Sequence, residues 1–345
     1  MTGKLMPKVS VIVPNYNHAR FLPQRLDSIF AQTFKDYELI VLDDASSDNS
    51  REVLKYYTAK IPMRLVFNER NSGSPFAQWQ KAAALANGEY LWIAESDDYA
   101  DPKLLQTLVS ELQRNPKVGL AYCQSFGVNE KGQILGKWGG YRDLEPERWQ
   151  NNYVNQGADE VARYLVIKNT IPNASAIVLK RDVFCQAVQN AEKFRLTGDW
   201  WTWSRMLMQS DVAYVSEPLN FFRTHDCSVR DTTKLSVAAL EYFTVMAYIF
   251  SQVQVSATVR RLAFREAFYE WCRCFDSPAF RPEWQWLHDV YTKARCINRS
   301  AIFEMAWFLF KVKLKRVAFV AATVRTAKKF CGLSHRPTAQ EYWIR

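Results

Sequence analysis

Four acidic side chains fall within seven residues of the sequence, directly after an apolar run. The run YLWIA (90–94) has the character of a buried strand, and the acids that follow are Glu95, Asp97, Asp98 and Asp101. Carboxylates this close repel one another, so a cation or a set of hydrogen-bond donors must offset their charge. Clustered carboxylates are also ligands for divalent ions. The segment therefore predicts a site that holds a cation or several donors.

The first two thirds of the chain alternate between strand-like and helical segments. Apolar β-rich runs precede polar turns, and each turn leads into a helical pattern; the runs are KVSVIVPNYN, YELIVLDD, MRLVFN, EYLWIAE and VGLAYCQSF. Strands separated by helices of this length are joined by right-handed crossovers and form a parallel sheet. We therefore predict an α/β fold class with a mostly parallel sheet flanked by helices.

Polar residues gather where three of these strands end. In open α/β sheets, ligands bind beyond the carboxyl ends of the strands. The residues concerned are Asn15, Tyr16 and Asn17 after the first strand, Asp43 and Asp44 after the second, and Glu95 to Asp98 after the fourth. The acidic segment is thus predicted to line a ligand crevice.

The last third of the chain differs in both pattern and charge. From about residue 236 the composition is helical, so we predict a domain in residues 1–235 and a basic helical region in residues 236–345. The second region holds 17 of the 45 basic residues but only 8 of the 35 acidic ones, and the chain carries a net charge of +10. This asymmetry favours an anionic partner, either membrane lipid or a polyanion, while a solvated helical face remains an alternative.

Two segments of the C-terminal region bear on contact with a membrane. Residues 242–259 carry no charge, but their second half, SQVQVSATV, is polar, so we predict a buried helix and not a membrane span. The last helical run contains four cations, Lys311, Lys313, Lys315 and Arg316. It could lie on a bilayer, or pack against its own domain or an oligomer partner.

The N-terminal residues lack the pattern of a leader, so we expect a cytoplasmic location. Seven cysteines without paired spacing predict reduced thiols.

Six segments together resemble one enzyme family. A Walker A loop and a GxGxxG turn are absent. The order VSVIVPNYN, QTFKDYELIVLDDASSDNS, NERNSGSP, GEYLWIAESDD, TGDWW and FFRTHDCSV, between about residues 8 and 235, resembles the family 2 glycosyltransferases of the GT-A fold, which use nucleotide-activated sugars. The resemblance implies a GT-A type nucleotide-sugar domain and a divalent cofactor, Mn²⁺ or Mg²⁺.

The resemblance also assigns the acidic segment. It implies that Asp98 is the direct metal ligand and that Asp97 lies towards the ribose or the water shell of the metal. Glu95 stands where many relatives carry an aspartate, so its role is open. Asp101 precedes Pro102 at the start of a helical pattern, and we assign it to the helix cap.

Further residues are implied to bind the nucleotide. Asp44 resembles the acid that accepts a hydrogen bond from the base ring N–H, although an Asx turn is the alternative there. Tyr16 can lie against the base, and the backbone near Pro14 can reach the base edge. Gln78 stands where many relatives carry an arginine after the loop Asn71–Gly73.

The catalytic and remaining metal assignments come from the last two segments. Asp199 in TGDWW resembles the family's general base, with a helix N-cap as the alternative. Trp200, Trp201 and Trp203 would form an apolar wall for a sugar ring. In FFRTHDCSV, His225 is implied to complete the metal site and Arg223 to stabilise the leaving phosphate. His18, His288 and His335 receive no role.

These assignments define the expected function. We predict inverting, metal-dependent transfer of a sugar from a nucleotide-diphosphate sugar to a hydroxyl of a glycan or lipid-linked acceptor, in cell-surface polysaccharide synthesis. We expect the protein to work in the cytoplasm at the inner face of the membrane, with its C-terminal helices against the anionic membrane surface. We expect no nucleic-acid partner. A non-catalytic glycan-binding module and a nucleotidyltransferase are the alternatives, and the oligomeric state is left open.

Overall fold

The computed structural model describes residues 6–139, 143–225, 233–276, 280–316 and 343–344, and it describes side chains as far as Phe310. These residues fall into two compact units. The first comprises the described residues of 6–161 and 170–225 together with 343–344. The second comprises 162–169 and the described residues of 233–316.

The first unit contains all the strands of the described chain, which form one sheet. The strands are β1 (Val9–Asn15), β2 (Tyr37–Asp43), β3 (Arg64–Phe67), β4 (Tyr90–Ile93), β5 (Tyr99–Ala100), β6 (Val118–Val128), β7 (Ile134–Trp138), β8 (Tyr153–Asn155), β9 (Ile177–Lys180), β10 (Asp211–Arg223) and β11 (Trp343–Ile344).

The helices of the first unit connect these strands. They are α1 (Leu22–Phe30), α2 (Ser50–Thr58), α3 (Pro75–Leu85), α4 (Leu104–Arg114), α5 (Gly157–Glu160), α6 (Arg181–Ala187) and α7 (Gly198–Leu207), with 3₁₀ turns at Arg148–Gln150, Ala174–Ala176 and Ala191–Lys193. A π-helical turn, Val161–Leu165, follows α5.

The sheet places the carboxyl ends of β1, β2 and β4 side by side. Its order is β11-β7-β6-β9-β4-β1-β2-β3, and β10 pairs with β6 off this path. The longest ladders, β1 with β2 and β6 with β10, are parallel. The predicted α/β class, with a central sheet flanked by helices, is confirmed. The sheet is mixed, because β7, β8 and β9 pair in antiparallel orientation. Six of the described strands were not predicted, namely β5, β7, β8, β9, β10 and β11. Of these, β9 lies antiparallel between β4 and β6.

The apolar runs of the strands and close backbone contacts at their ends determine where the strands lie in the sheet. Val9, Val11 and Val13 of β1 are fully buried among residues of β2, β4, α1 and α4. Gly88, just before β4, approaches the backbone of β1 so closely that an added Cβ would lie 2.5 Å from Ser10 N. A glycine is therefore required for β4 to enter the sheet beside β1.

Four helices make up most of the second unit. They are α8 (Leu235–Gln252), α9 (Ala257–Arg273), α10 (Trp284–Ile297) and α11 (Ala301–Arg316). Helix α8 packs against α9 and α10. Phe243, Met246 and Trp271 are fully buried in this unit. Among the described residues, none of the helices is both long enough and apolar enough to cross a membrane.

Candidate functional site

Side-chain hydrogen bonds connect the loop after β1 to the loop after β2. Asn15 Nδ2 donates to Asp43 Oδ1 at 2.8 Å, and the other Asp43 oxygen accepts from Ser46 N at 3.1 Å. Asn17 adopts a left-handed backbone with φ of 56°. Its Oδ1 accepts the Ser47 N–H at 2.8 Å. Asp43 thus shapes this turn, and hydrogen bonds join the two loops along one edge of the sheet.

Asp44 lies at this edge with both of its oxygens occupied. The residue is 5% exposed. It accepts hydrogen bonds from Asn68 Nδ2 (2.6 Å), Ser72 N and Oγ (3.0 and 2.7 Å) and Gln78 Nε2 (3.0 Å). Gln78, at the position where an arginine was expected, therefore serves as a donor to Asp44. In this conformation Asp44 holds the loop after β3, and its contact with a base stays a prediction.

Two other residues predicted to contact the nucleotide lie at the end of β1. Pro14 is part of β1 and pairs with Leu42 of β2. Tyr16, directly after the strand, is 45% exposed. An exposed aromatic ring beside a buried strand end can accept a planar base. The structure brings Pro14, Tyr16 and Asp44 to one end of the sheet.

Two buried arginines supply the positive charge that the acidic segment requires. Arg25 of α1 is fully buried, and its Nε donates to Glu95 O at 2.8 Å while Nη2 donates to Ser175 Oγ at 3.1 Å. Burial lowers the pKa of Arg25 to about 10, and the charges of Asp98, Asp97 and Glu95 oppose this shift. The sequence predicted that a cation would offset the acids, and Arg25 meets part of that need.

Arg223 is the second of these arginines. Its backbone N–H donates to Asp98 Oδ1 at 2.8 Å. Its guanidinium donates to the carbonyls of Asp97 (2.6 Å) and Glu130 (2.7 Å) and to Gln24 Oε1 (2.5 Å). These contacts fix the Arg223 side chain against the acidic segment. Its predicted contact with a leaving phosphate stays a prediction.

The three acids of the segment differ in charge state. Burial, together with the charge of Asp97, raises the pKa of Glu95 to about 8 and that of Asp98 to about 7. Burial would also raise the pKa of Asp97, but a hydrogen bond from His225 and the nearby charges of both histidines lower it. Asp97 is therefore the carboxylate that stays ionised at neutral pH.

Asp97 lies with two histidines in an arrangement that fits a metal ion. The donor atoms of His18, Asp97 and His225 all lie within 4.8 Å of one another. His225 Nε2 is 3.1 Å from Asp97 Oδ2, and His18 Nδ1 is 2.8 Å from Ser96 Oγ. Imidazole and carboxylate groups are ordinary ligands of divalent transition ions. The donor set therefore fits a cofactor of the Mn²⁺ type.

Asp98 is outside this group of three. It is 1% exposed and faces the backbone N–H of Arg223. The assignment of Asp98 to the metal and of Asp97 to the ribose stays a prediction, and the geometry favours Asp97 as the ligand. Sequence reasoning missed His18, although the residue follows β1 within the polar loop that was already assigned to the crevice.

Asp199 lies at the first turn of α7, which aromatic packing joins to the acidic segment. Trp203 stacks against Trp79 at 5.7 Å between ring centres, and the Trp79 indole donates to Glu95 Oε1 at 2.9 Å. Trp200 and Trp203 are 1% and 0% exposed. These two rings therefore belong to the core, and the predicted tryptophan wall for a sugar is wrong for both of them.

Comparison with known proteins finds a matching family model within the N-terminal half of the chain. Residues 10–160 match the family model described as glycosyl transferase family 2. An uncharacterised glycosyltransferase from Methanocaldococcus jannaschii is 33% identical over 155 residues, which cover 44% of this chain and 51% of that protein. Poly(ribitol-phosphate) β-N-acetylglucosaminyltransferase TarS from Staphylococcus aureus is 30% identical over 129 residues, or 37% of this chain and 22% of TarS. The chain thus spans about half or less of the length of these relatives.

Solved structures show the same fold over most of the chain. Residues 1–349 of S. aureus TarS in complex with UDP-GlcNAc match with a TM-score of 0.63 at 16% identity, covering 84% of this chain and 81% of that one. A Pyrobaculum calidifontis mannosyltransferase in complex with GDP-Man and Mn²⁺ matches with a TM-score of 0.53 at 16% identity, covering 91% and 88%. The predicted GT-A type of fold is confirmed.

Proposed function

We propose that the protein transfers a sugar from a nucleotide-diphosphate sugar to a hydroxyl of a glycan or lipid-linked acceptor, because residues 10–160 match the family model described as glycosyl transferase family 2. The observation that carries the proposal is the meeting of Asp97, His225 and His18 at the strand ends where Tyr16 and Asp44 also lie. A diphosphate needs positive charge, which an ion held by these side chains would supply, and a base needs a planar contact, which Tyr16 offers.

The nature of the donor is supported by the structural neighbours. UDP-GlcNAc occupies the TarS structure, and GDP-Man with Mn²⁺ occupies the mannosyltransferase structure. Both are nucleoside-diphosphate sugars, so we propose a donor of this class. Uracil, thymine and guanine each offer a ring N–H that a carboxylate such as Asp44 can accept.

Asp97 and His225, with Asp98 as the sequence-based alternative, would hold Mn²⁺ or Mg²⁺. When bound, such an ion supplies the positive charge that stabilises a departing diphosphate. Asp97 is suited to this task because it stays ionised at neutral pH, whereas its neighbours Glu95 and Asp98 have raised pKa values.

Asp199 is proposed as the general base. The acceptor oxygen forms a bond to the anomeric carbon, the bond from that carbon to the diphosphate breaks, and the acceptor proton passes to the Asp199 carboxylate. A single direct displacement of this kind inverts the anomeric configuration. The start of α7, which carries Asp199, is stabilised by the stacking of Trp203 on Trp79.

We further propose that the protein works at the cytoplasmic face of a membrane in polysaccharide synthesis. Helix α11 exposes Phe303 (76%), Trp307 (58%) and Phe310 (51%) within two turns. The sequence of the helix continues with four cations between residues 311 and 316. Aromatic rings followed by cations suit the interface of an anionic bilayer. Trp307→Ser should reduce co-sedimentation with phosphatidylglycerol vesicles, and unchanged co-sedimentation would contradict this part of the proposal.

Nucleotide binding and turnover test the main proposal separately. Thermal shifts with UDP, GDP, dTDP and CDP, each with Mn²⁺, with Mg²⁺ or with EDTA, should reveal one nucleotide that stabilises the protein only when metal is present. Ligand at a hundredfold excess over its Kd contributes about 2.7 kcal/mol. Asp199→Asn should keep this shift and lose turnover of the matching donor by about a hundredfold or more. The proposal fails if no diphosphate gives a metal-dependent shift.

A further inference from the structure

We infer that His18 is a third protein ligand of the divalent ion, so that the site has two imidazoles and one carboxylate and prefers transition ions to Mg²⁺. The inference rests on the proposed function in one respect, because the same ion would also bind the diphosphate of the sugar donor. Ion binding itself depends on three side chains, His18, Asp97 and His225, and can be measured without any nucleotide.

The three side chains already have nearly the spacing of ligands around one ion. His225 Nε2 and Asp97 Oδ2 are 3.1 Å apart. Ligand atoms about 2.1 Å from a common ion and at right angles to each other lie roughly 3 Å apart. The donor atoms of all three groups fall within 4.8 Å of one another, so His18 lies close enough to share an ion with Asp97 and His225.

His18 is oriented in the way that ligating histidines usually are. Its Nδ1 is 2.8 Å from Ser96 Oγ, a hydroxyl that can accept the Nδ1–H. That arrangement leaves Nε2 with its lone pair available for an ion. The ring also packs edge-on against Phe21, at 5.8 Å and 66°, and against His225, at 5.4 Å and 88°. Contacts on several sides thus hold the imidazole beside Asp97.

The second imidazole presents one nitrogen to the same position. The His225 side chain is 1% exposed, and its Nε2 faces Asp97 Oδ2. A neutral imidazole that carries its proton on Nδ1 has the Nε2 lone pair available for an ion. An ion bound by Nε2 and by the Asp97 carboxylate would then replace the direct contact between these two groups.

The donor set determines which ions bind. Mg²⁺ prefers oxygen ligands and keeps several waters, so it gains little from imidazole nitrogen. Transition ions bind imidazole in the order Mn²⁺ below Co²⁺ below Ni²⁺. With two imidazoles in place, the site should take up Mn²⁺ or Co²⁺ before any nucleotide is present and should discriminate against Mg²⁺.

Direct ion titration tests the inference. Metal-free protein is titrated calorimetrically with Co²⁺, Mn²⁺ and Mg²⁺ alone, and Co²⁺ uptake is also followed by its visible absorption. We expect one Co²⁺ per chain with a Kd at least tenfold below that of Mg²⁺. His18→Gln should raise the Co²⁺ Kd at least tenfold, change the absorption spectrum, and leave the Mg²⁺ Kd within threefold.

His288→Gln is the matched control, because His288 lies exposed on α10 in the second unit; it should bind all three ions as the wild type does. Circular dichroism and thermal unfolding verify that each variant is folded. Wild-type Co²⁺ affinity in folded His18→Gln, or Mg²⁺ binding as tight as Co²⁺ binding, overturns the inference. His18-dependent Co²⁺ binding without any nucleotide response supports the inference and contradicts the proposed function.

Discussion

The indole N–H of Trp79 donates a 2.9 Å hydrogen bond to Glu95 Oε1 at the end of β4. Burial beside Asp97 outweighs this bond and raises the pKa of Glu95 to about 8. The folded state therefore binds a proton at Glu95 that the unfolded chain releases above its ordinary pKa. Stability from this group is present below about pH 4.5 and is lost as the pH rises towards 8.

Glu95→Gln should flatten this dependence, because glutamine keeps an oxygen for Trp79 and carries no charge. We expect the free energy of unfolding of the wild type, measured with urea in EDTA, to fall between pH 5 and 8 by on the order of a few kcal/mol. The variant should lose the part of that slope that Glu95 contributes, whereas the part from Asp98, whose pKa burial raises to about 7, should remain. Glu69→Gln, an exposed site, is the control. A variant that keeps the full wild-type slope would rule out Glu95 as the source.

The sequence predicted the fold class and the strand ends that form the site because these depend on local patterns. The apolar runs of β1, β2 and β4 and the polar residues after them are continuous in the chain. Strand β9 was missed because its antiparallel position between β4 and β6 is a long-range pairing. Local periodicity carries no information about which strand pairs with both β4 and β6.

The site was predicted less completely because its contacts join distant segments. Arg25 and Ser175 meet at the acidic segment although 150 positions separate them. His18 meets Asp97 and His225 only once β1, β4 and β10 are aligned. The tryptophans after Asp199 were interpreted from residue type alone, and burial decides that Trp200 and Trp203 serve the core.

The side-chain contacts of Arg223 should contribute to the stability of the fold. Its guanidinium donates to the Asp97 and Glu130 carbonyls and to Gln24. Arg223→Met leaves these acceptors without a donor and removes a cation beside Asp98, so we expect a loss of about 3 kcal/mol in urea unfolding. Arg114→Met is the control, since that side chain is 72% exposed. A loss for Arg223→Met no larger than that of the control would show that these contacts contribute little to stability.

Asp44 should govern the order of the loop after β3. Asp44→Asn replaces one of the two acceptor oxygens with an amide donor, so that either Ser72 N or Gln78 Nε2 faces a donor, which should cost about 1–3 kcal/mol. Amide hydrogen exchange at residues 69–74 should accelerate at least tenfold. Gln78→Met removes a single donor and should give a smaller acceleration. Unchanged exchange in Asp44→Asn would mean that the loop is held by other contacts.

Gly198 sets the approach of α7 to α3. A Cβ added at Gly198 would lie 2.5 Å from the ring of Phe76, which is itself 4% exposed and packs at 5.0 Å against Trp79. Gly198→Ala therefore forces the start of α7 away from the core. We expect a loss of about 1–3 kcal/mol in unfolding free energy. Because Asp199 is the next residue, turnover should fall while donor affinity stays within about threefold.

The steric origin of this effect can be isolated with a double mutant. Phe76→Leu removes the aromatic ring that lies too close to a Cβ atom added at position 198. The combined Gly198→Ala and Phe76→Leu variant should then be more stable than the sum of the two single losses predicts, by about 1 kcal/mol, because residues in contact do not contribute independently. Gly73→Ala is the control for backbone strain, since that glycine has φ of 73° and open space around its Cβ position. Simple additivity of the Gly198 and Phe76 losses would instead locate the cost in the backbone of α7.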